Sequence, residues 1–203
     1  MATQLWLATG NKGKVHEVLR LLEEFGFEIH LQNEISAFTQ PPETGKTFLE
    51  NAQIKARALH AVRPEAWVLG EDSGLCVEGL NHNPGVYSAR YAGEKASDVE
   101  NNMKVLQMLR IRSPLNRKAY FQSSVVIRSP EGQEYSFEGR VSGTITESPR
   151  GTEGFGYDSI FIPEGEAKTF AELGIAFKNK VSHRSKALMA AKEALRSHWN
   201  PKS

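Results

Sequence analysis

Apolar positions recur along this chain with two periods, and the switches between them predict its elements. Residues 4–8 form an apolar run too short for a helix and closed by Thr9-Gly10-Asn11, which predicts a buried strand. Val15, Val18, Leu19, Leu22 and Phe25 then return at helical spacing, with Glu17, Glu23 and Glu24 off the stripe and Gly26 at the end. A second short strand covers residues 28–31, and Pro41, Pro42 and Gly45 make 36–46 a loop. Thr47-Phe48-Leu49-Glu50 reads as a capping box for a helix that runs to about Val62, short of Pro64. Residues 67–70 read as a strand leading into Glu71-Asp72.

Ser97-Asp98-Val99-Glu100 caps a further helix whose apolar positions are Val99, Met103, Leu106 and Leu109. Beyond it the pattern turns β-rich. Residues 119–128 and 133–146, joined by Ser129-Pro130-Glu131-Gly132, predict a long antiparallel hairpin. A glycine-rich loop (Gly151, Gly154, Gly156), a short strand over 159–162 and a last helix over about 182–198 close the chain. The alternation predicts an α/β fold: one mixed sheet flanked by helices, with a larger and a smaller lobe and a cleft between them, in a single domain spanning 1–203.

Composition narrows the function. The 203 residues are 39% hydrophobic and 24% charged, enough for a core, and the net charge of +1 argues against a general nucleic-acid binder. The single cysteine, Cys76, allows no internal disulfide and sits in an apolar run as a small buried hydrophobe. No stretch approaches the length of a membrane span and the start lacks a signal-peptide pattern, so a cytoplasmic protein without membrane partners is expected.

Candidate chemistry lies in three runs. Thr9, Gly10, Asn11, Lys12, Gly13 and Lys14 form a glycine-containing turn from strand to helix, a pattern that offers backbone N–H groups and positive charge to phosphate. Lys178-Asn179-Lys180-Val181-Ser182-His183-Arg184 reads as a second cationic turn ahead of a helix. Between them, Glu71-Asp72-Ser73-Gly74 reads as an acidic pair converging in a tight turn, with Glu43 and Glu50 as further acids. Carboxylates near phosphate call for a divalent cation, and oxygen-only donors suit Mg2+. Asn51 and Lys55 share one helical face. Phe155-Gly156-Tyr157-Asp158 follows the glycine-rich loop and can offer a slot for a stacked purine or serve as core. A P-loop is excluded. Gly13-Lys14 lacks the first glycine and final hydroxyl of that motif, and the loop before Gly45-Lys46-Thr47 carries two prolines where N–H donors belong.

Six runs in order, LATGNKGKV (7–15), ETGKTFLENAQIKA (43–56), EDSGL (71–75), PGVYSARYAG (84–93), GFGYDSIF (154–161) and KNKVSHR (178–184), resemble the inosine triphosphate pyrophosphatase family over nearly the whole chain. The resemblance implies Mg2+-dependent hydrolysis of ITP, dITP and XTP to the monophosphate and pyrophosphate, which clears deaminated purines from the nucleotide pool. It implies that Thr9 to Lys14 hold the triphosphate and that Asp72 binds the metal and takes a proton from water. Glu43 and Glu71 would assist with the metal. Ser73 and Lys55 would contact the nucleotide, and Phe155, Gly156, Tyr157, Asp158, Lys178, His183 and Arg184 would line the base and phosphate pocket. It also implies a homodimer. Two alternatives stay open: a pyrophosphatase for another modified nucleotide, and a nucleotide-binding module without turnover. Hydrogen-bond polarity makes Arg184 or a protonated His183 the expected donor to the oxygen at position 6 of the purine.

Overall fold

Lys12–Leu22 and Phe48–Val62, the first two helices, form where the apolar stripe and the caps predict them. The computed structural model describes residues 3–36 and 38–198, apart from the side chains of Lys12, Ser197 and His198. In chain order the strands are β1 (Gln4–Leu7), β2 (Glu28–Leu31), β3 (Trp67–Val77), β4 (Lys118–Arg128), β5 (Glu134–Ile145) and β6 (Phe161–Pro163). The helices are α1 (Lys12–Leu22), α2 (Phe48–Val62), α3 (Asp98–Arg112), α4 (Phe170–Leu173), α5 (Ile175–Val181) and α6 (His183–His198). The strands hydrogen-bond in the order β2-β1-β3-β4-β5-β6. β1 pairs in parallel with both β2 and β3, and β5 pairs antiparallel with β6, so the sheet is mixed, as the alternation predicted.

The chain divides into two compact units. The first holds the residues up to Asp72, Ser123–Gly139 and those from Arg184 onward; the second holds Ser73–Gln122 and Arg140–His183. In the first unit Leu5, Leu7, Val15, Val18, Leu22, Val125, Ile127, Leu188 and Leu195 build one core cluster. Trp6, Ala52, Ala56, Leu59, Val68 and Val126 build another. Here α2 lies directly on the β3 backbone. A Cβ at Gly70 would strike the Ala52 carbonyl oxygen and come within 2.9 Å of the Ala56 amide. In the second unit Leu75, Val105, Leu109, Phe121, Ile160, Phe161 and Phe170 form the core.

Four local expectations change. The strand expected to stop at Gly70 continues through Glu71-Asp72-Ser73-Gly74 to Val77, so these four residues are strand interior and not a tight turn. The Thr47 hydroxyl accepts the Glu50 N–H at 3.1 Å, but the Glu50 carboxylate takes the Lys46 N–H instead of completing the box. The cationic run at 178–184 is helical, α5 passing to α6 with a break at Ser182 (φ −65°, ψ 159°). On α3 the Ser97–Glu100 capping box forms, yet Val99 and Met103 stay exposed while Asn101, Asn102, Val105, Leu106 and Leu109 are buried.

Candidate active site

Asp72 is a buried acid of the first unit, held by two side chains of α2. It is 6% exposed on β3. Lys55 Nζ, from α2, lies 2.9 Å from its Oδ1, and Asn51 Nδ2, one helical turn earlier, donates to its Oδ2 at 3.1 Å. Lys55 is therefore a buried cation and not a solvated helix-face lysine. The same Nζ lies 2.6 Å from Glu43 Oε1 and 3.3 Å from the Glu71 carbonyl oxygen. Asn51 is fully buried, and its Oδ1 accepts the Gly45 N–H at 2.8 Å. One helix thus fixes both the strand acid and the loop that carries Glu43.

These contacts tune the charges. Burial pushes the Asp72 carboxyl above the ordinary aspartate range, and the Lys55 ammonium only partly opposes it. Burial works to discharge Lys55, but Asp72 and Glu43 outweigh it and hold the ammonium charged. Glu71 behaves in the opposite way. It is 3% exposed, yet Arg184 and Lys14 overcome its burial and keep its carboxyl well below the usual range.

Glu71 does not join Asp72. Neighbouring side chains on a strand point to opposite faces. Glu71 Oε1 accepts from Arg184 Nε at 3.1 Å and from the Ser123 hydroxyl at 2.8 Å, and Lys14 Nζ lies 2.6 Å from Oε2. Arg184, 2% exposed, also donates from Nη1 to Glu17 Oε2 at 2.7 Å. Its guanidinium is committed to a buried Glu17–Arg184–Glu71 chain in the first unit. The other candidate donor to the base, His183, is 3% exposed and stacked on Phe121 at 4.7 Å.

The Thr9–Lys14 segment follows β1 and runs into the first turn of α1. Asn11 is the N-cap, and its Oδ1 accepts from Gly13 N at 2.9 Å and Lys14 N at 3.2 Å. Thr9 Oγ1 accepts from Asn11 N at 3.2 Å. Gly10 and Asn11 are exposed, as an anion site needs, and the Lys12 side chain lies outside the described residues.

In the second unit Asp158 and Lys178 form a buried pair, Nζ to Oδ2 at 2.5 Å. The Phe155 N–H donates to the same Oδ2 at 3.0 Å, and Lys178 Nζ sits 4.1 Å from the Phe155 ring centroid. Phe155 and Gly156 are half-buried. Tyr157 is core, its hydroxyl donating to the Ser88 carbonyl at 2.7 Å. Ser73, half-buried, follows Asp72 on β3. Sequence reading passed over Asn101 and Asn102, two adjacent polar residues on the buried stripe of α3.

Among the described residues no three His, Cys, Asp or Glu side chains are grouped to hold a metal ion. Glu43 and Asp72 nevertheless converge on one cation, the Lys55 ammonium. Two carboxylate donors fit Mg2+, which commonly takes one or two carboxylates and completes its shell with substrate phosphates and water.

The model of the Ham1 family matches residues 5–194. The chain belongs to the Ham1 family. A dITP/XTP pyrophosphatase of Bdellovibrio bacteriovorus is 51% identical over 96% of this chain and 98% of its own length. One of Bacillus subtilis is 44% identical over 90% of this chain and 91% of its own. Among solved structures, a HAM1 protein from Coxiella burnetii superposes with a TM-score of 0.89 at 36% identity, covering 96% of this chain and 99% of that one. No described helix of this Ham1-family chain is long and apolar enough to cross a membrane.

Proposed function

We propose that this chain is a hydrolase that converts deaminated purine nucleoside triphosphates, ITP, dITP and XTP, into the monophosphate and pyrophosphate. The observation that carries the reading is Asp72: a buried carboxylate, raised in pKa, with each oxygen held by a separate donor on α2. Near-full-length relatives named dITP/XTP pyrophosphatase support the substrate class.

Asp72 takes the proton from the attacking water, a task suited to a carboxylate whose basicity burial has raised. The water oxygen bonds to the α-phosphorus, the bond to the bridging oxygen breaks, and pyrophosphate leaves. Lys55 and Asn51 fix the direction in which the Asp72 lone pairs face. Lys14, anchored by Glu71, supplies positive charge to the phosphates, and the exposed Gly10–Asn11 backbone approaches them. Glu43 and Asp72 would hold Mg2+, which would neutralise phosphate charge. Phe155 offers a half-buried ring for the purine, with Lys178 and Asp158 fixing its setting.

This reading assigns Glu71 to holding Lys14 and Arg184 rather than to the metal. A homodimer, which the family resemblance implies, is tested by sedimentation. The deciding experiment measures pyrophosphate release from dITP, XTP, dATP and dGTP with Mg2+. Preference for the first two supports the reading; equal turnover of all four, or none, overturns it.

A further inference from the structure

The loop that carries Phe155 is fixed from outside by α3. Gly154 (φ +86°) and Gly156 (φ +62°) both adopt left-handed backbone, so no regular ladder holds the segment. Its polar groups are held by side chains instead. Before Phe155, its own N–H goes to Asp158 Oδ2. After it, the Gly156 N–H donates to Asp98 Oδ2 at 2.6 Å. The Gly156 carbonyl accepts from Asn102 Nδ2 at 3.1 Å, and the same Nδ2 donates to Ser159 Oγ at 3.1 Å. Asp98 and Asn102 stand four residues apart on one face of α3. Asp98 is exposed, whereas Asn102 is 4% exposed.

We propose that Asp98 and Asn102 are positioning residues for base selection: they secure both polar groups of Gly156 and thereby set the angle at which the Phe155 ring meets the purine. The inference rests on the nucleotide pyrophosphatase reading above and adds selectivity determinants that touch no substrate. A ring whose flanking peptide units are both tied cannot tilt to accommodate a base with the wrong edge pattern. Release of one tie allows that adjustment, so discrimination falls while the chemistry at Asp72 proceeds. The carboxylate–amide bond is charge-assisted and among the stronger ties available to an exposed side chain.

The test compares kcat and KM for dITP and dATP in the unsubstituted protein, Asp98→Ala, Asp98→Asn and Asn102→Ala, with thermal melts alongside. Loss of one such hydrogen bond corresponds to a change of about fivefold or more. Asp98→Ala is expected to lower the dITP-to-dATP ratio of kcat/KM by that amount, mainly through a lower KM for dATP. Asp98→Asn retains an oxygen that accepts the Gly156 N–H and is expected to restore most of the ratio. A merely structural role would lower both nucleotides in proportion. An unchanged ratio in Asp98→Ala overturns the proposal while leaving the enzymatic reading intact; should buried Asn102→Ala not fold, Asp98→Ala alone decides. Absence of turnover by the unsubstituted protein removes the reading and the proposal together.

Discussion

Glu71 and Asp72 are consecutive residues of β3, yet their carboxylates meet different cations: Glu71 the Arg184 guanidinium and the Lys14 ammonium, Asp72 the Lys55 ammonium. Strand alternation divides them, and the division separates a charge that holds the first unit together from one available for chemistry. Their pKa shifts follow, lowered for Glu71 and raised for Asp72.

Asp72→Asn keeps the shape of the side chain and removes the proton acceptor. Turnover of dITP is expected to fall by about 10²–10⁴-fold, the usual contribution of general base catalysis. Lys55 keeps Glu43 as its partner. A far-UV circular dichroism melt should therefore stay close to that of the unsubstituted protein while pyrophosphate release collapses.

Arg184→Ala leaves Glu17 and Glu71 buried without their shared partner. The loss is expected to be about 3–5 kcal/mol in urea unfolding at neutral pH.

Glu71 also fixes a pH dependence. Its carboxyl is held well below the ordinary value of 4.5 in the fold, so its contribution is complete above that value and is lost as pH falls below it toward the folded one. Glu71→Gln removes this contribution. The variant should be less stable at neutral pH and should show a flatter loss of stability between about pH 4.5 and pH 2, measured by denaturant midpoints.

Lys55 pairs with both Glu43 and Asp72, the two acids that would hold a metal. Lys55→Met frees both acids from their buried cation. Mg2+ without nucleotide is expected to raise the melting temperature of this variant more than that of the unsubstituted protein, while dITP turnover drops. Equal shifts in the two proteins would rule out competition between the ammonium and the ion.

Cys76 is 5% exposed, and burial raises its thiol above the usual range. Iodoacetamide at pH 8 should leave it unmodified in the native protein and label it in denaturant, as intact mass will report.

The periodicity made β1, α1, α2, the hairpin and α6 legible, because each buries one apolar face. What escaped was polar. Asn101 and Asn102 lie on the same stripe as Val105, Leu106 and Leu109, but asparagine reads as solvent-facing, so Val99 and Met103 took their place in the pattern. Glu71-Asp72-Ser73-Gly74 looked like a turn because of Ser73-Gly74. There the glycine serves a close approach instead, since a Cβ would meet the Gly85 carbonyl at 2.6 Å. Asp72, Lys14, Lys55 and Lys178 were all named as candidates from sequence. Their pairings, and the commitment of Arg184 to Glu17, required the tertiary contacts.

The seam of Gly70 against Ala52 and Ala56 has a consequence for variation in this protein. It sets the separation from which Lys55 and Asn51 extend to Asp72, so a single methyl group there changes the reach of the ammonium without altering any chemical group that meets a nucleotide. Enlarging residue 52, 56 or 70 should therefore lower turnover as well as stability, a fault of spacing rather than of missing chemistry.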